Sequence, residues 1–394
     1  MKTDANEALN LIEKHTKTLK TEYVNISEAL GRVVSEDMYA LNDYPPFSRS
    51  PYDGYALRAE DRKNREIFTV IGSSFAGTPF MGTVGRNEAV KIMTGGVIPP
   101  GADCVVPWEK TDRGEEKVSI YAEPRPYENY IKQGEDYKRG ELLLKKDIVM
   151  NAAEMALAVS GGVSEIEAYP VLKAAVISTG DEIVPPGEKL KEGKIYDTNM
   201  IYVSSRLKEL KVDTVYVKAA PDDVRLLNKT FTEACKSSDI VFTTGGVSAG
   251  QKDLVPQVLE NMGAEIIFKG VDIKPGMPTV FSMAQNGVPV VSLSGNPFAA
   301  AVGFELFGRA ALAKRSGNRF FLPKRSDAVL KSGYSKKGGA ERYVKAFESN
   351  GYVDIPSSQG NGSLRSMCGC NCLVRIPKEI DSLSPGERVE ILYV

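Results

Sequence analysis

The sequence predicts a multidomain α/β protein built around a three-layer α/β domain with a mostly parallel sheet. The chain has 394 residues, which is enough for about two to four domains. Residues 171–317 alternate apolar strands with amphipathic helices, the pattern of a parallel sheet covered by helices on both faces. The regions before and after carry a few helices and many short β-type runs separated by turn residues.

The domain organisation follows from where these patterns change. We predict an N-terminal helical linker domain, an inserted β domain, the α/β domain and a small C-terminal β domain, with the boundaries 1–46 plus 146–170, 47–145, 171–317 and 318–394. The linker domain holds an amphipathic helix around His15 and a second helix from its predicted cap, Asn151, to Ser160. We expect the second helix to pack on the first.

The elements of the α/β domain are predicted one by one. Apolar runs that predict strands occupy residues 174–177, 214–217, 240–242, 265–268, 279–283 and 288–292. Asn199 is predicted to cap the first helix and Asp222 to start the second, while residues 254–262 and 298–313 form the third and fourth. An Asn286-Gly287 turn predicts a hairpin between the last two strands.

A strand, a glycine-rich loop and the start of a helix follow one another in residues 239–253, DIVFTTGGVSAGQKD. Gly245, Gly246 and Gly250 allow sharp turns and close approach to a ligand, and Asp253 is the predicted cap of the helix. Free amides at a helix N-terminus bind anions such as phosphate, and the acid suggests a metal ion beside it. The loop matches neither the dinucleotide nor the Walker pattern, so a tight turn without a ligand is the alternative.

Four loops rich in acids, glycine and hydroxyls are expected at the carboxyl ends of the strands, where open α/β sheets bind ligands. They comprise residues 179–182, 221–223, the Gly245 loop and residues 294–297. We expect these loops to converge on one edge of the sheet.

Composition excludes several classes of function. With 50 basic and 51 acidic residues the net charge is −1, so the sequence gives no electrostatic reason to expect nucleic acid or an anionic membrane as partner. No apolar run approaches the roughly 20 residues that span a bilayer. The first residues lack the apolar segment of a signal peptide, and we therefore expect a cytoplasmic protein.

The single histidine, His15, nearly excludes a Ser-His-Asp triad or a multi-histidine metal site. Chemistry must therefore rest on carboxylates, lysines, hydroxyls, backbone dipoles and a hard cation. The five cysteines are too few for a disulfide framework. Cys368, Cys370 and Cys372 alternate along a predicted strand, where packing is favoured over metal binding.

Three further turns carry polar residues in the N-terminal half. They contain Asp53 (PYDGYA), Thr94 (IMTGG, followed by PPGAD) and Asp136 (GED). Each alone could be an ordinary turn whose acid binds local amides.

Together and in this order, the motifs resemble the MoeA family of molybdenum-insertion enzymes, which is related to the C-terminal domain of gephyrin. The resemblance covers essentially the whole chain. In the N-terminal half it rests on the three turns just described. In the α/β domain the motifs that resemble the family are Ser178-Thr-Gly-Asp-Glu182, Ile195-Tyr-Asp-Thr-Asn199, Thr244-Gly-Gly-Val-Ser248, Lys274-Pro-Gly276 and Gly295-Asn-Pro297.

The resemblance implies a four-domain subunit in an elongated homodimer, with each active site shared between the α/β domain of one subunit and the N-terminal half of the other. It implies insertion of molybdenum from molybdate into adenylated molybdopterin, with Mg²⁺-dependent hydrolysis of the phosphoanhydride and release of AMP. It also implies transient contact with the upstream adenylyltransferase that supplies the substrate.

The residue roles that go with this reaction are expectations. The Gly245 and Gly246 amides, Ser248 and Lys274 would bind the pyrophosphate, Glu182 and Asp253 would hold Mg²⁺, and Asp222 or Asp181 would orient water. By resemblance, Asp53, Thr94 and Asp136 would complete the site from the other subunit. The remaining predicted substrate-binding residues are Thr179, Ser294, Asn296 and Pro297.

The chain departs from the family pattern at four positions. Met277 replaces a second lysine, Gly270 replaces a cation (with Lys269 beside it), Ser294 replaces a proline, and Ile131 replaces an arginine (with Lys132 beside it). Each change removes positive charge or rigidity from an anion site, so the choice between molybdate and tungstate stays open.

Two other functions remain as alternatives. The first is a molybdopterin adenylyltransferase, against which the N-terminal half with Asp53 and Thr94 argues. The second is a non-catalytic dimeric pterin-binding scaffold, which would have no need for several acids at strand ends.

Overall fold

The computed structural model describes residues 2–247, 254–360 and 362–394, which form two compact units. One unit comprises the residues up to 22 together with 169–394, and the other comprises 23–168. Ser248, Gly250 and Asp253 of the predicted phosphate loop therefore lie outside the described residues. No helix of the described chain is long and apolar enough to cross a membrane.

The elements up to residue 168 are mostly short strands. In chain order they are α1 (Ala5–His15), β1 (Glu22–Asn25), β2 (Met38–Tyr39), β3 (Gly54–Leu57), α2 (Ala59–Arg62), β4 (Ile67–Ser74), β5 (Glu88–Ile92), β6 (Cys104–Pro107), β7 (Lys117–Ser119), β8 (Leu142–Leu144), α3 (Ala152–Ser160) and β9 (Glu165–Ala168). Strands β6-β3-β5-β4-β7 form a five-stranded sheet, and β1–β9 and β2–β8 form two short pairs. Buried side chains such as Tyr55 and Phe68 give the sheet its own core.

Helix α3 begins where the sequence predicts. Asn151 accepts from the Ala153 and Glu154 amides, and the Glu154 carboxylate closes a capping box. The prediction that this helix packs on α1 is wrong: α3 packs through Ala158 in a cluster with Val24 and other residues of the 23–168 unit. Helix α1 instead buries its apolar stripe in the core of the other unit.

The second half of the chain alternates strands and helices before ending in strands. Its elements are β10 (Lys173–Thr179), β11 (Ile183–Val184), β12 (Ile195–Tyr196), α4 (Thr198–Glu209), β13 (Asp213–Ala220), α5 (Val224–Ser237), β14 (Ile240–Thr244), α6 (Val255–Asn261), β15 (Glu265–Lys269), β16 (Ile273–Lys274), β17 (Val280–Met283), β18 (Pro289–Leu293), α7 (Pro297–Gly303), α8 (Arg309–Ser316), β19 (Arg325–Leu330), β20 (Tyr334–Ser335), β21 (Glu341–Ser349), β22 (Tyr352–Asp354), β23 (Cys372–Ile376), β24 (Ser382–Leu383) and β25 (Arg388–Tyr393). A π-helical turn, Phe304–Gly308, links α7 to α8.

The α/β sheet has the order β13-β10-β14-β18-β17-β15. The first four strands run parallel, and β17 runs antiparallel to both of its neighbours, β18 and β15. One face packs on α1, α4, α7 and α8 and the other on α5 and α6. Because helices cover both faces, the central strands are continuous apolar runs, and the predicted three-layer fold is confirmed.

Two predicted helix caps are displaced by one or two residues. Asp197, not Asn199, caps α4 by accepting from the Met200 amide. Asp223, not Asp222, caps α5 through the Leu226 amide. Asn199 and Asp222 therefore do not cap these helices, and both contribute to the site described below.

The C-terminal strands close on themselves. Strands β21, β22, β19, β25 and β23 are paired in that order, and β23 pairs back with β21, so the ring has no free edge among these five. The short strand β16 adds to β21 from the α/β region, pairing Lys274 with Arg342. Of the cysteine row, only Cys372 lies on a strand; Cys368 and Cys370 lie in the preceding turn, and all are free thiols. The prediction of one alternating strand is therefore wrong.

Candidate active site

The four loops that follow β10, β13, β14 and β18 contribute to the lining of one cavity of about 370 Å³. Since these strands are parallel neighbours, their carboxyl ends meet at one edge of the sheet. The cavity is lined by Thr179, Gly180, Glu182, Asp222, Gly245, Gly246, Val247, Pro278, Ser294, Gly295 and Asn296. The structure thus brings together seven of the predicted site residues. We call this the nucleotide cavity, after the ligand that the resemblance leads us to expect.

Glycine is required where the β14 loop approaches β10. Gly245 and Gly246 have φ of +89° and +65°. A Cβ on Gly245 would lie 2.4 Å from the Thr179 carbonyl oxygen, and one on Gly246 would lie 2.8 Å from Thr179 Oγ1. The backbone therefore forms the wall of the cavity.

We expect Gly245→Ala to weaken binding of AMP, used as a probe of this cavity, at least tenfold. The left-handed backbone costs an L-residue about 1–2 kcal/mol, and the contact with Thr179 additionally displaces the end of β10. Gly287→Ala is the matched control, because Gly287 has φ +78° and open space around its Cβ position. Calorimetric titration with AMP measures the affinity of both variants, and urea unfolding measures their stability. The two measurements together separate backbone strain from loss of the binding site. Equal AMP affinity in Gly245→Ala and wild type would contradict the assignment.

Donors in the nucleotide cavity differ in part from the prediction. The Gly245 amide donates to the Leu293 carbonyl at 3.1 Å, so the expectation that it is free for a ligand is wrong. The Gly246 amide has no partner among the described residues. Thr179 is 2% exposed, and its Oγ1 is buried without a hydrogen-bond partner in the described chain. A buried hydroxyl at the cavity wall needs a partner, which an anionic ligand would supply.

The acids of the site come from neighbouring turns. Glu182 folds its carboxylate over Gly180, whose Cβ position lies 2.6 Å from Oε2. The Asp181 carboxylate accepts from the Asp222 amide at 3.1 Å, which ties the turn after β10 to the turn before α5. Glu182 and Asp222 line the cavity, while Asp181 positions one of them.

Asn199, predicted as a cap, instead supports the loop after β18. It is 8% exposed and donates from Nδ2 to the Gly295 carbonyl at 2.8 Å. In the same loop the Asn296 amide donates to Ser294 Oγ at 3.2 Å, so the hydroxyl proton of Ser294 remains available. Pro297 is the first residue of α7 and does not line the cavity.

A second cavity of about 370 Å³ adjoins the first and shares Pro278, Ser294 and Asn296 with it. Its walls come from residues 273–278 and from the C-terminal strands. Three cations line it, Lys274, Lys336 and Arg342, and no acid is among its lining residues. We call it the cationic cavity. Lys274, expected beside Gly245, therefore lies here.

Sequence reasoning missed Arg342 and Lys336, because nothing local connects them with Lys274. Arg342 is 3% exposed, its Nε has no hydrogen-bond partner, and no ion pair to it is found in the described ranges. A buried guanidinium without a counter-ion is unfavourable unless an anion binds. Arg342 lies in a run of five consecutive buried residues of β21, so no alternation of apolar and polar residues marks it.

The N-terminal predictions fall in the 23–168 unit. Asp53 Oδ1 accepts from both the amide and the hydroxyl of Thr94, at 2.7 Å and 2.8 Å. These two hydrogen bonds lower the pKa of Asp53 below its ordinary value, and the one from the Thr94 backbone amide has the larger effect. Asp136 is exposed, and its amide donates to the Tyr44 carbonyl.

Thr94→Val should raise the pKa of Asp53 towards that of a free aspartate, because the hydroxyl bond is lost while the amide bond stays. A depressed carboxyl pKa adds stability above the unfolded-state value and loses it as the pH falls through the folded-state value. The variant should therefore lose less stability on acidification. Carbon NMR titration of the Asp53 carboxyl measures this; an unchanged pKa would show that the hydroxyl bond contributes nothing.

Known families and proteins match this chain along nearly its whole length. Residues 3–162 match the "MoeA N-terminal region (domain I and II)", 175–314 match a "Probable molybdopterin binding domain", and 327–394 match the "MoeA C-terminal region (domain IV)". The proteins named "Molybdopterin molybdenumtransferase" of Haemophilus influenzae and Staphylococcus aureus are each 33% identical to it, covering 97% and 98% of this chain and 96% and 94% of their own lengths. The crystal structure of the molybdopterin biosynthesis MoeA protein from Pyrococcus horikoshii has a TM-score of 0.85 at 30% identity, covering 100% of this chain and 99% of its own.

The three matches follow one another in the order of the sequence motifs, and the relatives align over nearly their full lengths. The fold and the order of the matched regions agree, and the chain belongs to the MoeA family of molybdopterin molybdenumtransferases.

Proposed function

We propose that this enzyme transfers molybdenum from molybdate to adenylated molybdopterin and releases AMP. The observation that carries the proposal is the pair of adjoining cavities that share Pro278, Ser294 and Asn296. One is lined by acids, glycines and hydroxyls and the other by three cations. A reaction between a substrate that carries a nucleotide phosphoanhydride and a tetrahedral oxyanion needs one site for each, next to each other.

The nucleotide cavity supplies donors and carboxylates. The Thr179 and Ser294 hydroxyls and the Gly246 amide are suited to phosphate oxygens. Asp222, tied to Asp181, is suited to orient the water that attacks the phosphoanhydride. The proton of that water would pass to the carboxylate as the oxygen–phosphorus bond forms and AMP leaves.

The residues also fit Mg²⁺. This ion is commonly held by one or two carboxylates together with substrate phosphates. Glu182 and Asp222 provide carboxylates at the cavity, and no group of three or more ligating side chains is found among the described residues. Glu182 would hold the ion, with Asp253, which lies outside the described residues, as the second predicted ligand. Bound there, Mg²⁺ would neutralise charge on the phosphates.

The cationic cavity is the proposed oxyanion site. Met277, where the family pattern leads us to expect a lysine, lines this cavity, yet Lys274, Lys336 and Arg342 still give it three positive charges. The missing lysine therefore does not remove the site. Tungstate is a tetrahedral dianion of the same kind, and the lining cations bind both by charge.

The assembly belongs to the same proposal. Asp53, Thr94 and Asp136 would complete the active site from the second subunit of a homodimer, and adenylated molybdopterin would arrive by transient contact with the adenylyltransferase. A cytoplasmic location is supported by the cysteines, which are all free thiols in the structure.

AMP release tests the function. Purified protein is incubated with adenylated molybdopterin, with and without Mg²⁺ and molybdate. Release that depends on both supports the transferase. Binding without release would support the scaffold, and release of pyrophosphate from ATP in the presence of molybdopterin would support the adenylyltransferase.

A further inference from the structure

Residues 48–50 lie between two of the predicted site motifs of the 23–168 unit. On one side the Ser50 amide donates to the Gly96 carbonyl, next to the Thr94 loop. On the other side Arg49 and Ile131 exchange both backbone hydrogen bonds, at 3.0 Å and 3.1 Å, next to the Asp136 turn. Arg49 is thus the central residue of a three-stranded patch that joins both motifs.

The Arg49 side chain brings a positive charge to this patch. No ion pair to it is found in the part of the chain that the structure describes. Its guanidinium lies 5.7 Å from the centre of the Tyr44 ring, and Tyr44 stacks on Tyr137 at 5.5 Å. Asp43 is the carboxylate of the neighbouring turn, and it accepts hydrogen bonds from Gln133 Nε2 and from the Arg139 amide. The aromatic contact orients the guanidinium without neutralising it.

Arg49 also stands where the chain lacks an expected charge. Ile131 replaces the arginine that the family pattern leads us to expect. Residues directly opposite in a sheet share a face, so Arg49 presents its charge on the face of Ile131. Lys132 follows Ile131 directly, and successive residues of an extended segment point to opposite faces. Its Nζ lies 4.2 Å from the centre of the Tyr127 ring. Arg49 is therefore the cation on the face of Ile131.

We propose that Arg49 binds an anionic oxygen group of the substrates. The inference rests on the proposed function, whose two substrates both carry such groups: the phosphates of adenylated molybdopterin and the tetrahedral oxyanion. A planar guanidinium donates two parallel hydrogen bonds to either group. Arg49 is thereby a binding residue contributed by the 23–168 unit, beside Asp53, Thr94 and Asp136.

The test moves the charge across the strand pair. Arg49→Ala should weaken substrate binding about tenfold or more, since a charge-assisted hydrogen bond is lost. Adding Ile131→Arg to Arg49→Ala should restore most of that loss, because the new guanidinium starts from the same face. Lys132→Ala is the control and should bind as wild type. A structural role for Arg49, as a support for Tyr44, predicts no rescue by Ile131→Arg and a lowered unfolding temperature.

Two readouts identify the anion. Equilibrium titration with adenylated molybdopterin reports the phosphate, and the molybdate concentration for half-maximal AMP release reports the oxyanion. A change confined to one of them names the group that Arg49 binds. Wild-type affinity for both in Arg49→Ala overturns the inference while leaving the proposed function intact. If the wild type releases no AMP, the proposed function fails, and the titration still tests Arg49.

Discussion

Glu182→Gln is expected to reduce molybdate-dependent AMP release by about 10²–10³-fold, the loss typical of removing one charged group from a hydrolytic site. The substitution keeps the shape of the side chain that folds over Gly180 and removes its negative charge. Since Glu182 lies on an exposed turn, the unfolding temperature should stay within 2–3 °C of wild type, as expected for surface changes of about 0.5 kcal/mol.

Glu188→Gln is the matched control, because Glu188 is an exposed acid six positions further on and does not line the cavity. It should release AMP at the wild-type rate. Full activity of Glu182→Gln at saturating Mg²⁺ would show that the carboxylate holds no metal. Unfolding of the variant would show that Glu182 is structural instead.

Lys274→Gln and Arg342→Gln are each expected to raise the molybdate concentration needed for half-maximal AMP release about tenfold or more, with adenylated molybdopterin binding nearly unchanged. The reason is that both cations line the cationic cavity and neither lines the nucleotide cavity. A rate assay with varied molybdate, combined with titration of the adenylated pterin, measures the two effects separately.

Because Arg342 is 3% exposed, its replacement can disturb the C-terminal ring of strands. Lys274 is exposed and tests the same cavity without that risk, and Arg342→Lys keeps the charge. Lys208→Gln, on the exposed side of α4, is the control for the change of net charge. Loss of pterin binding with unchanged molybdate dependence would reverse the assignment of the two cavities.

The sequence predicted the α/β domain well because its signals are local. Buried parallel strands are apolar throughout, and amphipathic helices show one apolar stripe, so β10, β14 and β18 could be located from short windows. The loops at their carboxyl ends were then expected to meet, and the nucleotide cavity shows that they do. The Asn286-Gly287 hairpin likewise depends on neighbouring residues only.

The predictions failed in two situations. Either two residues suited to cap the same helix lie close together in sequence, or the structure depends on contacts between segments that are distant in sequence. Asp197 and Asn199 are both residue types that commonly cap helices. In the folded chain Asp197 caps α4, whereas the Asn199 side chain donates to the Gly295 carbonyl. The position of Lys274 depends on its pairing with Arg342, 68 residues later, which no local pattern reveals. Helix α1 has an apolar stripe that fits several surfaces, and the stripe alone does not say which one is its partner.

The most direct test of the two-cavity account is a crystal structure of the protein soaked with AMP and tungstate, with the tungsten located by its anomalous scattering. We expect tungsten between Lys274 and Arg342 and the AMP phosphate beside Thr179 and Gly246, with Ser294 and Asn296 between them. Tungsten in the nucleotide cavity, with none near Arg342, would contradict it.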